Sequence, residues 1–291
     1  MEYKRILYET PEPGIVKIMM NRPEKRNAQD ALMLSEMTDA FINADLDEDV
    51  RVIIFGGVGK DFSGGHDMSG TGEKAHEGTV MRRALDTKLT GIEMRLKRED
   101  YVFLNQGLDM RNVSKPTIAM VQGNCMAGAL MDCSMMDLIV ASEDALFNNP
   151  VVRMTPAAGE ILFEPYDFGF RRAKEMLWTG DPVDAQEAKR LGFVCKVVSR
   201  EKLEAETMAL ARRIAMNNPV SVSLVKRSIN HAWDLMGQSA AIQYHMLIHQ
   251  MSHTTDEAAR YSAERAKAMK TGGLKEALKL RDAKFKAGGK Y

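Results

Sequence analysis

The feature that most constrains this chain is a change of hydrophobic period near residue 200. Before it, short apolar runs closed by turn residues alternate with helical stripes; after it, only helical periods remain. "GIVKIMM" at 14–20 and "VRVIIFGG" at 50–57 are partly β-branched and closed by "NRP" and "GG", so they read as strands buried on at least one face. Between them, "QDALMLSEMTDAFINAD" sets Met33, Met37, Ala40, Phe41 and Ala44 on one helical stripe. The order returns downstream: "PTIAMVQG" reads as a strand, "AGALMDCSMM" as a helix, "DLIVAS" as a strand and "ALFNNP" as a short extended piece. Residues 171–191 read as helical, with Asp184 and Glu187 at capping-box spacing, and "FVCKVV" as another strand. Repeated strand and helix units predict an α/β core over residues 1–200. Residues 201–291 predict a helical C-terminal region, whose last amphipathic segment, "LKEALKLRDAKFKAGGK", is expected to have a loose end.

Composition narrows the function. Forty basic and forty acidic residues cancel, without a long run of one sign, which disfavours nucleic acid and anionic membrane surfaces as partners. A small, locally recognised ligand fits better. No window approaches an unbroken apolar span, and "MEYKRILYETPEPG" has no signal-peptide core, so a cytoplasmic protein is expected. Cys125, Cys133 and Cys195 lack CxxC spacing and read as reduced, buried packing residues. The segment 71–113 is the least regular: a polar, glycine-rich loop around "SGTGEKAHEGT" and then a charged helical stretch, a combination that commonly covers a site.

Four segments carry a resemblance: "MNRPEKRNAQDAL" at 20–32, "FSGGHDM" at 62–68, "KPTIAMVQGNCMAGALM" at 115–131 and "EMLWTGDPVDAQEAKRLGFVCKVV" at 175–198. In order and separation they resemble the crotonase (enoyl-CoA hydratase/isomerase) superfamily over nearly the whole chain. The resemblance implies a spiral of repeated ββα units, followed by helices that build a homotrimer or hexamer. It also implies an acyl-CoA thioester as substrate, with coenzyme A part of that substrate and no separate cofactor. By match of motif, the N–H groups of His66 and Gly128 would face the thioester oxygen, where acyl chemistry builds negative charge. Gly64, Gly65 and Gly128 would allow close backbone approach. Lys25 and Arg26 would lie near the coenzyme phosphates, Ala28 near the adenine, and Asp67 and Met68 in the loop that follows the first donor.

The sequence departs from the family where hydratases carry two water-activating glutamates, because Met131 and Val151 stand at the matching positions. Neither side chain transfers protons. Glu160, nine positions after Val151, is the first choice for general acid or base, since a carboxylate facing an apolar pocket has its pKa pushed toward neutrality. Asp132 is a weaker candidate, a single step along a helix turning it away from the ligand. Asp67 reads as a loop organiser that bonds local amides. Glu164, Tyr166 and Asp167 are candidates for the pocket floor or a subunit contact. His245, His249 and His253 share a helical face, but lacking a glutamate in HExxH they read as surface or interface, and no metal site is expected. The reading is an enoyl-CoA hydratase-like enzyme; a double-bond isomerase, a ring-opening β-keto acyl-CoA hydrolase and a non-catalytic acyl-CoA binder are its alternatives.

Overall fold

The computed structural model describes residues 2–69 and 72–287. Gly70 and Thr71, within the expected loop, and 288–291, at the expected loose end, lie outside the described residues.

The first 200 residues build two ladders. In the first, the strands β1 (Ile6–Glu12), β2 (Ile15–Met20), β3 (Val52–Gly57), β4 (Thr117–Val121), β6 (Leu138–Ser142) and β9 (Lys196–Val198) lie side by side in the order β1-β2-β3-β4-β6-β9. β1 and β2 form an antiparallel hairpin, and every later pairing is parallel. β3 and β4 are buried at every position, as expected of parallel strands covered on both faces. The second ladder joins β5 (Asn124–Met126), β7 (Leu146–Asn148) and β8 (Val183–Asp184). Isolated bridges Ser63↔Cys125 and Gln29↔His66 extend it toward the N-terminus. Each turn of chain thus lays one rung on each ladder, which makes the spiral.

Helices close the spiral. α1 (Ala31–Leu46) starts where the Asp30 carboxylate accepts the Met33 N–H at 2.9 Å, an N-cap bond. Its anticipated stripe, Met33, Met37, Ala40, Phe41 and Ala44, is wholly buried. Phe41, Phe55 and Phe62 meet edge to face at its base, with ring centroids 5.6 and 5.4 Å apart. The irregular segment forms α2 (Val80–Leu85), α3 (Gly91–Glu99) and α4 (Asn105–Asn112), with a wider turn at Asp100–Leu104 joining the last two. α5 (Gly128–Ser134) follows β5 almost directly.

After the short α6 (Glu164–Asp167), the stretch read as helical over 171–191 is two helices, α7 (Phe170–Thr179) and α8 (Ala185–Leu191), with the strand β8 between them. Gly180, at φ +67°, ends α7, and the Asp184 carboxylate caps α8 by accepting the Glu187 N–H at 2.8 Å. Beyond residue 200 come α9 (Leu203–Ala215), α10 (Pro219–Leu235), α11 (Gln238–Ser252) and α12 (Asp256–Ala287), the last bent at Gly272 and Gly273. Cys125 and Cys133 are buried, but Cys195 is exposed, because it precedes the edge strand β9. No helix among the described residues is long and apolar enough to cross a membrane.

Candidate active site

The site begins with the backbone. Arg26 and Asn27 both take positive φ, at 52° and 51°, and turn the chain after the short helix Pro23–Lys25. Asn27 is fully buried; its amide donates to the carbonyls of Val58, Asp61 and Phe62 while its oxygen accepts the Arg22 N–H. That side chain fastens the basic turn to the glycine loop. The Ser63 hydroxyl donates to the Asn27 carbonyl at 2.7 Å and accepts the Gly65 N–H at 3.1 Å, and the Gly64 N–H donates to the Arg26 carbonyl at 2.8 Å. Lys25 and the guanidinium of Arg26 stay at the surface, while Ala28 is half-buried with its carbonyl bonded to Arg22.

Gly65 needs its lack of a side chain. Its φ is +83°, and a Cβ would lie 2.6 Å from the Met126 carbonyl oxygen and 3.3 Å from the Gly128 nitrogen. The glycine loop and the start of α5 therefore touch through bare backbone. Among the described residues, neither the His66 nor the Gly128 N–H takes part in the backbone hydrogen bonds of this region, whereas the neighbouring Gln29 and Asp67 amides do. Ala127 just before α5 sits at φ +48°, held by its N–H bond to the Asn148 carbonyl. α5 is only seven residues long, so the free amide at its start matters more than a macrodipole.

Asp67 organises the loop as expected: it accepts the Ser69 N–H at 2.9 Å and pairs with Arg22 at 3.0 Å. Its carboxyl is held below the usual range, these partners outweighing burial. Arg22 also reaches Asp30 at 3.3 Å, and Arg265 of α12 donates to the Met68 carbonyl at 2.8 Å. The loop is thus clamped from both ends of the chain.

The His66 imidazole lies over Gly128, its Nε2 2.3 Å from where a Cβ would be, and stacks on Phe103 with centroids 4.0 Å apart and planes 19° from parallel. Burial pushes its pKa below the ordinary value, against the pull of Glu160 and Glu99. A neutral imidazole results at physiological pH. Together with Gln29, Leu34, Asp67, Arg98 and Phe103, it lines a cavity of about 370 Å³.

Met131 and Glu160 meet behind this wall. The Met131 sulfur is 3.4 Å from the Ile161 nitrogen and fills the space beside Gly159. Glu160 is buried, and its charge acts on His66, Asp132 and His249 alike. Val151 is buried in the short helix Pro150–Met154. Asp132 is buried and accepts a 2.6 Å bond from Gln29 of the cavity lining; burial raises its pKa to about 7. Glu164 belongs to the core rather than the pocket floor, fully buried and accepting from Asn149 at 2.7 Å, with burial raising its pKa to about 7. Asp167 is raised by burial and by Glu164, and the Tyr166 hydroxyl faces Gly237 at the start of α11.

His245 and His249 of α11 are interior rather than surface, because this helix packs over α3 of the same chain, and His253, at its C-cap, is half-buried. His245 bonds the Gly159 carbonyl at 2.9 Å. His249 Nε2 lies 3.4 Å from Glu99, 4.0 Å from Glu160 and 3.2 Å from His253 Nε2. Burial pulls the His249 pKa down, but the bond to Glu99 and the charge of Glu160 leave it raised. Glu99, despite burial, is lowered to about 2 by His249 and Gln250, and burial takes His253 to about 4. Sequence reasoning missed Glu99, Phe103 and Asn27. Asn27 alone had a signal, lying inside the "NRPEKRNA" segment.

Stacked parallel rungs, a helical C-terminal cover and two glycine-bearing segments meeting at a cavity define an α/β protein of the crotonase type. The sequence matches the enoyl-CoA hydratase/isomerase family over residues 10–271, and the chain belongs to that family. EchA13 of Mycobacterium tuberculosis is 38% identical over 260 residues, covering 87% of this chain and 81% of that protein. A crystal structure of a probable enoyl-CoA hydratase from Mycobacterium smegmatis matches at 39% identity and a TM-score of 0.77, over 85% of this chain and 94% of that one. An enoyl-CoA hydratase/isomerase from Xanthobacter autotrophicus Py2 gives a TM-score of 0.82 at 30% identity, over 97% and 99% of the two chains.

Proposed function

We propose that the protein is an enzyme acting on an acyl-CoA thioester, hydratase-like in frame, with the N–H groups of His66 and Gly128 holding the thioester oxygen and Glu160 moving the proton. The observation that carries this reading is the contact of Gly65 with the start of α5, which brings the Gly128 amide close to the loop whose His66 lines the cavity. Donors fixed by backbone cost no reorganisation as negative charge grows on the oxygen. Lys25 and Arg26 at the surface turn suit the coenzyme phosphates, and Ala28 the adenine.

Met131 and Val151 favour a second reading within the same frame: isomerisation of a double bond, or hydrolytic opening of a cyclic β-keto acyl-CoA, in place of water addition by two glutamates. Both reactions need one proton-transfer group, and the charge of Glu160 reaches the neutral imidazole of His66. Exposed Val220, Leu224, Val225 and Ile229 along α10 support assembly into a homotrimer or hexamer.

The test is a panel of linear enoyl, dienoyl and cyclic β-keto acyl-CoA esters, with products followed by mass. One ester class turns over, and Glu160→Gln lowers its rate by about a hundredfold or more without loss of binding. Unchanged turnover in that variant removes Glu160 from the mechanism. Tight binding of all esters without product replaces the enzyme by a binding protein.

A further inference from the structure

Close enough to His66 for its charges to act on that ring lies a cluster that the acyl-CoA reading does not use. His249 near the end of α11 and His253 at its C-cap, four residues apart, gather with Glu99, the last residue of α3. We propose that Glu99, His249 and His253 form a binding site for a divalent transition-metal ion of the zinc type.

Three observations carry it. The first is spacing. Bonds of about 2.0–2.1 Å in a tetrahedral site separate neighbouring ligand atoms by roughly 3.3–3.4 Å. Here His249 Nε2 stands 3.2 Å from His253 Nε2 and 3.4 Å from Glu99 Oε2, and all three donor atoms lie within 4.8 Å of one another. The second is hydrogen-bond capacity. His249 Nε2 carries at most one hydrogen, yet His253 Nε2, Glu99 Oε2 and, at 4.0 Å, Glu160 Oε1 converge on it. One N–H serves only one of them; a cation in their midst serves all.

The third is outer support. Gln250 donates to Glu99 Oε2 at 2.6 Å, and Arg95 occupies the other oxygen, Oε1, at 3.2 Å. Together they hold the carboxylate in one orientation, as partners of metal-binding carboxylates do. Two imidazoles and one carboxylate suit a borderline cation better than magnesium or calcium, which take oxygen sets. With three protein ligands the fourth position stays open on the side of Glu160.

The test is metal binding by the whole chain and is independent of acyl-CoA turnover. Zn²⁺ is titrated against a chromogenic chelator, and Co²⁺ reports geometry through its visible absorption. The expected result is one ion per chain, with tetrahedral-type cobalt bands, and affinity lowered more than about tenfold in both His253→Ala and Glu99→Gln. His231→Ala, at an exposed histidine of α10, leaves affinity unchanged. Thermal melting of the metal-free variants checks that they fold; His253→Ala removes only a half-buried ring. Wild-type protein that takes up no zinc, or folded variants that bind it as tightly as wild type, overturns the site.

Discussion

The His66 ring stands between two walls of different construction, one it touches and one whose charges reach it. One is backbone: the Gly64–Gly65–His66 loop against the first turn of α5, fixed by Asn27, Ser63 and Arg22. The other is side chains: Glu99, Glu160, His249 and His253, brought together from three separated parts of the chain. The first is governed by sterics and the second by charge. Substitutions and pH should therefore act on them in different ways.

The largest effect is expected at the backbone wall. Gly65→Val forces a branched side chain onto a residue at φ +83°, with its Cβ 2.6 Å from the Met126 carbonyl, and should cost on the order of 3 kcal/mol or more of stability. His66→Ala, by contrast, loses one half-buried ring and its stacking on Phe103, about 1 kcal/mol. Chemical denaturation of both variants checks the ranking. The reverse order would mean that the imidazole, rather than the bend, is what this loop maintains.

How legible were the two walls? The glycine loop and the start of α5 were legible through the family resemblance, whose motifs rest on the local marks a backbone device leaves: paired glycines, a turn, a strand that runs into a helix. The side-chain wall could not. Glu99 lies in the segment with the weakest pattern, and its partners come more than a hundred residues later, on a helix whose folding-back over α3 no local signal announces. The same blindness put His249 at the surface or an interface and Glu164 at the pocket floor or a subunit contact, since burial in a spiral depends on which rung faces which. The missed strand β8 has a simpler cause: two residues are too few to show a period.

A smaller effect is expected from pH, and it probes the charge shared across the two walls. Burial raises Asp132 to about 7 from an ordinary 3.8, and the charge of Glu160 adds to it. Below the ordinary value, folded and unfolded chains are both protonated at this group and nothing is lost. Between the two values the unfolded chain releases the proton and the folded chain keeps it, so stability falls as pH rises and the loss is complete above about 7. Asp132→Asn should flatten that slope, stabilising the protein by up to roughly 3 kcal/mol at pH 8 and little at pH 4. Denaturation midpoints across pH 4–8 measure it. An unchanged slope would show that Asp132 is not the group that titrates.

The claim at the centre is that two backbone amides hold the acyl oxygen while side chains do the rest. Its most direct test is the infrared difference spectrum of an acyl-CoA ester, labelled with carbon-13 at the thioester carbonyl and bound to the protein. The account predicts a carbonyl stretch shifted to lower frequency than in free solution, with the shift retained in Glu160→Gln and in His66→Ala. A carbonyl band unshifted on binding, or shifted only while the Glu160 or His66 side chain is present, would contradict it.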